Sequence, residues 1–140
     1  MDKSRVVVTG MGIISPLGNN VQENWDNVSA GNSGIDRITQ IDTSKLANHI
    51  AGEVKNFDAV EVLGRKEARR TDRMTHFAVE ASRQALEDSG LEITEENRWE
   101  VGVIVGSGIG GIHSLRDTIL DLENKGHRSI SPLAVPKSLI

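Results

Sequence analysis

Val6-Val7-Val8-Thr9-Gly10-Met11-Gly12 and Val101-Gly102-Val103-Ile104-Val105-Gly106-Ser107-Gly108-Ile109-Gly110-Gly111 share one pattern, a β-branched run that ends in glycine. Continuous apolar strands suit a sheet buried on both faces. Glycine just beyond such a strand lets backbone approach something closely, or take positive φ at no steric cost. The pattern therefore predicts two neighbouring central strands, 5–10 and 101–106, whose carboxyl ends open onto a site.

A phosphate cradle is one content for such a site, and the residues fit it poorly. Gly10-Met11-Gly12-Ile13-Ile14-Ser15 lacks the third glycine of a dinucleotide fingerprint. Pro16-Leu17-Gly18-Asn19-Asn20 then reads as a turn, whereas pyrophosphate needs a helix amino terminus at that point. No Gly-Lys-Ser/Thr makes a Walker loop, and Ile109 stands in the middle of the second glycine run. Glycines that permit tight strand-to-helix packing are the better local reading.

Outward from these segments the helices are marked by period and caps. Asn20 caps a helix with Glu23 placed as in a capping box, Val21, Trp25 and Val28 form its apolar stripe, and Gly31 ends it. Residues 36–64 predict a surface excursion with a short strand near Ile50 to Val54. From Thr71 a longer helix buries Met74, Phe77, Ala78, Ala81 and Ala85, with Asp72 in its first turn and Gly90 as its left-handed cap. Thr94-Glu95-Glu96-Asn97 predicts a single turn. After the second glycine run, Ile112, Leu115, Ile119 and Leu122 mark the buried face of a helix that Gly126 stops. Strands alternating with helices of this length indicate an α/β fold with a parallel sheet. No linker divides the chain, so residues 1–140 read as one domain or part of one.

Composition narrows the function classes. Of the 140 residues 37% are apolar and 3% aromatic, so the expected core is Val, Ile, Leu and Ala. The absence of cysteine removes disulfides, thiolate metal sites and a cysteine nucleophile from this chain. A net charge of −4 argues against nucleic acid as partner. No run of membrane-spanning length and no signal pattern stands in the sequence, which predicts a cytoplasmic protein without membrane association. His49, His76, His113 and His127 read as solvated surface residues, and no pair has the spacing of a metal site. Arg65, Lys66, Arg69, Arg70 and Arg73 concentrate positive charge in an acidic chain. In one continuous helix Lys66, Arg69, Arg70 and Arg73 share a face; a break at Thr71 and Asp72 is the alternative. Taken alone, the run reads as a solvated face.

Six motifs occur in order: VVVTGMGIISPLGN at 6–19, AGNSGI at 30–35, RKEARRTDR at 65–73, QALEDSGLEI at 84–93, GSGIGG at 106–111 and ISPLAVP at 130–136. This set resembles the amino-terminal part of the β-ketoacyl-acyl carrier protein synthases, the elongating condensing enzymes of fatty acid synthesis, and is most like the synthase II type. The resemblance implies a thiolase-like layered α/β sheet, here incomplete, as its amino-terminal portion. It implies acyl carrier protein as partner, with substrates carried on that protein's phosphopantetheine, no cofactor bound by this chain, and a homodimer. The basic cluster at the RKEARR position then receives the acidic helix of the carrier, a role carried onto Lys66, Arg69 and Arg70 and less firmly onto Arg65 and Arg73. Ile109 lines the acyl pocket near the two-fold interface. The family's catalytic cysteine and histidines come later in the sequence, so no catalytic residue is carried over.

Some positions depart from the family pattern: Thr71 for a larger apolar residue, Leu133-Ala134 for a pair that is often aromatic, His127 for proline. The Leu133-Ala134 pair leaves details of the dimer surface and acyl tunnel open. Two other classes also remain open: a stand-alone carrier-binding or structural module, and a nucleotide-binding α/β domain. The first reading predicts a chain without condensing activity of its own, shaped like a slice of a larger domain with a face left uncovered.

Overall fold

The structure is a computed structural model and describes residues 5–139. It contains five α-helices, one turn of 3-10 helix at His127–Ser129 and one two-stranded sheet among those residues. The chain forms two compact units, Met1–Phe57 with Glu80–Glu92, and Asp58–Val79 with Ile93–Ile140.

In the first unit, helix α1 (Val21–Ser29) starts where the caps predict. The Asn20 side chain accepts the Glu23 N–H at 2.9 Å. The reciprocal half of the box is shifted by one residue, since Glu23 Oε2 accepts from Asn19 N at 2.8 Å. Ala30 and Gly31 close the helix through bonds to Asp26, Val28 and their neighbours. Strands β1 (Ile35–Arg37) and β2 (Ile50–Gly52) pair antiparallel, with Asp36 opposite Ala51. The short strand expected near Ile50 is thus present, and its partner comes from the start of the excursion.

Helix α3 (Arg73–Ser89) contributes its second half to this unit and is the surface on which the first glycine run lies. A Cβ added at Gly10 would fall on the Ala85 carbonyl oxygen, and one at Gly12 on that of Ala81. Between and beyond them, Met11 N donates to Asp88 Oδ2 at 2.9 Å and Ile13 N to Gln84 Oε1 at 3.3 Å. Alternate residues therefore face the helix with bare Cα atoms and with N–H groups. The expected alanine face, residues 74, 77, 78, 81 and 85, is half-buried throughout. Close approach of the chain to helix backbone is what Gly10 and Gly12 serve.

In the second unit, Asp58 caps α2 (Ala59–Arg70) by accepting from Val60 N at 2.7 Å. The backbone leaves helical geometry at Gly64 and resumes for the basic segment. Thr71 ends α2 in extended conformation, and α3 begins two residues later. Residues 95–100 turn, with Arg98 N bonded to Thr94 O at 3.0 Å. Helix α4 (Ile112–Lys125), the 3-10 turn and α5 (Ala134–Ser138) follow.

Three expectations are corrected. Neither 5–10 nor 101–106 forms a ladder among the described residues; both run without regular secondary structure, with Val6 95% and Ile104 100% exposed. β-branched composition favours a strand, but a strand also needs a neighbour in register. Second, no apolar side chain is buried among the described residues, and the buried side chains are polar: Asn24, Asp72 and Glu80. Third, the stripe Ile112, Leu115, Ile119 and Leu122 of α4 is open to solvent, as are Trp25 and Val28 of α1. What α4 turns inward is its polar edge, with residues 113, 114, 118 and 121 half-buried. The uncovered faces are those expected of a slice of a larger α/β layer.

Candidate functional site

The second unit holds both features the sequence singles out. After Gly64, α2 presents Lys66, Arg69 and Arg70 at i, i+3 and i+4, all exposed, with Arg65 exposed beside them. Neighbours at this spacing share a helix face. Glu67 touches the edge of the patch, 3.9 Å from Arg70 Nη1. Among the described residues Arg65, Lys66 and Arg69 make no ion pair, so their charge projects into solvent. The break at Thr71 removes Arg73 from that face. Arg73 lies instead in the first turn of α3, its guanidinium 4.8 Å from the centre of the Phe77 ring. The cluster is therefore narrower than the sequence run.

Thr71 makes that corner firm. Its N–H and hydroxyl both donate to the Glu67 carbonyl, at 3.1 and 2.7 Å, and its Oγ1 lies 3.1 Å from His76 Nε2. Asp72, only 5% exposed, follows. Its Oδ1 accepts the Arg73 N–H at 2.6 Å at the head of α3. Its Oδ2 accepts the Ser114 N–H at 2.8 Å in the first turn of α4, 42 residues away. One carboxylate thus serves two helix amino termini, where the macrodipoles favour an anion. Burial pushes the Asp72 carboxyl upward; bonds from Ser114 and Arg73 and the nearby His113 outweigh it and hold it below the ordinary value.

The second glycine run forms the loop that enters α4. Gly110 N donates to Ser107 Oγ at 3.0 Å and Gly111 N to the Ser138 carbonyl at 3.1 Å. Gly111 is the cap residue of α4 and supplies no side chain to it. A Cβ there would lie 3.0 Å from Asp72 Oδ2 and would overlap the Lys137 carbonyl oxygen. Ile109 stands on the crest of this loop, 73% exposed, with Gly110 next to it at φ +80°. Ile109 is thus an apolar side chain held in solvent on a loop tied down at Gly110 and Gly111.

Apart from these features, two open concavities are present. One of about 410 Å³ in the first unit is lined by residues 15–19 with Glu23, Lys55 and Asn56. Its wall is a locked corner: Asn24 donates to Gly18 O and Asn20 O, and Gln84 Nε2 donates to Asn19 O at 2.8 Å. Another, of about 140 Å³, lies between the polar edge of α4 and Ser131, Ala134 and Lys137. Of the four histidines, 49 and 127 are exposed as expected, whereas 76 and 113 are half-buried against the Thr71–Asp72 corner. Among the described residues no three His, Asp or Glu side chains converge as a metal site, and no helix is long and apolar enough to cross a membrane.

Sequence reading missed the double role of Asp72. Its signal was present as a deficit: α4 begins at glycine, with no Ser, Thr, Asp or Asn of its own in the cap position.

Comparison with known proteins gives one family. The profile described as "Beta-ketoacyl synthase, N-terminal domain" matches residues 3–139. The 3-oxoacyl-[acyl-carrier-protein] synthase 2 of Coxiella burnetii is 48% identical over 140 residues, covering 100% of this chain and 34% of that protein. Among solved structures, a β-ketoacyl synthase from Burkholderia phymatum superposes with a TM-score of 0.79 at 28% identity, over 96% of this chain and 34% of the other. A type II polyketide acyl-carrier protein in complex with its ketosynthase, bound to the hexaketide, gives a TM-score of 0.76 at 27% identity, over 98% of this chain and 35% of that one. The chain spans about a third of the length of the curated relatives it matches.

Proposed function

Since the chain belongs to the β-ketoacyl synthase family by that family's amino-terminal domain, we propose that it is the scaffold, docking and pocket-wall portion of a 3-oxoacyl-[acyl-carrier-protein] synthase. In this reading residues 1–140 are one part of a single thiolase-like domain that works as a cytoplasmic homodimer. The enzyme moves an acyl chain from the carrier's phosphopantetheine thioester onto a cysteine thiolate. Malonyl carrier protein then loses carbon dioxide, and the resulting carbanion attacks the acyl-enzyme carbonyl. The cysteine thiolate leaves, and a β-ketoacyl carrier protein two carbons longer is released. The nucleophile and the histidines that assist decarboxylation lie outside these 140 residues, which contain no cysteine.

The chain's own contribution is recognition. Lys66, Arg69 and Arg70 form a positive face on an acidic chain, the complement of an acidic carrier. Charges at such a rim steer encounter and act chiefly through the association rate. Ile109, on its pinned loop, forms the wall that the growing acyl chain meets. The observation that carries the reading is the exposed cationic face of α2, free of ion pairs at Lys66 and Arg69 among the described residues.

The uncovered apolar segments argue against a stand-alone module, because isolated domains rarely leave such runs in water. The seating of Gly10 and Gly12 on helix backbone leaves no cradle for a nucleotide phosphate there. Carrier binding to a full-length synthase carrying this segment tests the proposal. Lys66→Glu, Arg69→Glu and Arg70→Glu together should weaken binding about tenfold or more and flatten its salt dependence. Binding indifferent to the triple reversal returns the cluster to a solvated face.

A further inference from the structure

Helix α4 starts without a cap of its own, and the loop that feeds it carries Ile109. Four amide groups at a helix amino terminus have no partner within the helix. In α4 three of them are met from outside the helix: Gly111 N by the Ser138 carbonyl at 3.1 Å, Ile112 N by Gly110 O at 2.9 Å, and Ser114 N by Asp72 Oδ2 at 2.8 Å. Asp72 is the only one of these partners that is a side chain, and its carboxylate stands against Gly111 where a cap residue's own side chain would sit. The bareness of Gly111 and the presence of Asp72 are two halves of one arrangement.

The same carboxylate is tied to the docking helix. Asp72 follows Arg70, the last residue of α2, by two positions, and the intervening Thr71 is fixed by its two bonds to Glu67 O. Its Oδ1 is committed to Arg73 N. The end of the basic face, the head of α3 and the head of α4 therefore meet at one buried anion. Ile109 precedes the capped turn by three residues, on a loop whose remaining ties are Ser107 Oγ to Gly110 N and the Ser138 carbonyl.

We propose that Asp72 is a positioning residue for the acyl pocket: by capping α4 it fixes the Gly106–Gly111 loop, places Ile109, and so sets which acyl chain lengths the synthase accepts. The inference rests on the functional reading above and adds to it a residue that touches neither carrier nor acyl chain. Losing the cap releases Ser114 N–H and frays the first turn of α4. Gly110 and Gly111, which resist few backbone conformations, then let Ile109 move. In this reading chain-length preference depends on the position of that side chain, while carrier docking depends on the exposed charges of α2, none of which bonds to Asp72.

Asp72→Ser separates the two duties of the carboxylate. Serine caps its own helix well, but its hydroxyl is too short to reach Ser114 N across the corner. Asp72→Asn keeps an oxygen at the original length and can still accept from Ser114. In the full-length synthase, kcat/KM is measured with hexanoyl- and tetradecanoyl-carrier protein, alongside carrier affinity. For Asp72→Ser the long-to-short ratio should shift about threefold or more, with carrier Kd changed less than twofold, and Asp72→Asn should lie between it and the unaltered enzyme. A purely structural role lowers both substrates in step, and an unchanged ratio in a folded Asp72→Ser enzyme overturns the inference. Should that variant not fold, the ratio in Asp72→Asn decides by the same criterion. Failure of the functional reading looks different, because the unaltered synthase would then show no condensation at either chain length.

Discussion

Replacing Gly12 by alanine places a methyl group against helix backbone that cannot swing aside. The new Cβ would overlap the Ala81 carbonyl oxygen and lie 2.8 Å from Gln84 Cβ. The protein has two ways to respond. Segment 10–13 can stay docked and absorb the overlap, at the cost of about 1–3 kcal/mol typical of overpacking. Or it can lift from α3 and give up the bonds Met11 N to Asp88 Oδ2 and Ile13 N to Gln84 Oε1. One of these has an ionised acceptor, so their joint loss costs roughly 2–4 kcal/mol. The cheaper route sets the expected destabilisation at about 1–3 kcal/mol. Urea unfolding of the protein reads it as a fall in midpoint with the slope unchanged. A loss below about 0.5 kcal/mol, the scale of an uninvolved surface position, refutes the close approach. A nucleotide loop at this position would give the opposite pattern, with stability spared and a ligand lost.

Asp72 carries a signed pH dependence. Its folded pKa is depressed, so its stabilisation is present above the unfolded value of about 3.9 and is lost as pH falls through the folded one. The stability gap between the unaltered protein and Asp72→Asn should therefore narrow as pH drops below about 4, as followed by urea midpoints from pH 6 to 3; a gap independent of pH contradicts the assignment. Ile109→Phe should impair turnover of long acyl carriers while sparing short ones, measured with the same pair of substrates, and equal loss at both lengths counts against a pocket role.

Local signals in the sequence were faithful where the chain itself completes the structure. Asn20, Gly31, Gly90 and Gly126 each stand at a helix boundary, because caps are decided within a few residues. The strands expected at 5–10 and 101–106 are absent among the described residues, since a ladder depends on a partner that composition does not name. The apolar stripe of α4 misled for a related reason. Periodicity shows which face wants burial, while the neighbours actually present, α5 and the 3-10 turn, meet its polar edge. At the site, the basic residues were visible as a run, but the turn at Thr71 and Asp72 that removes Arg73 is a choice between two helical registers equally allowed by the spacing. The second bond of Asp72 spans 42 residues and leaves only a missing cap as its trace.

The docking of the first glycine run onto α3 also fixes an order of events in folding. The bond from Met11 to Asp88 spans 77 residues and that from Ile13 to Gln84 spans 71. Closing a loop of that size costs about 1.7 kcal/mol more than closing one of ten residues, by the logarithmic dependence of chain entropy on length. Helix α3, by contrast, needs only neighbours along its own sequence, among them the Arg83 pairs with Glu80 and Glu87. The helix is the template and the amino-terminal segment the late arrival: the first residues of the chain wait for a surface that is written some eighty positions after them.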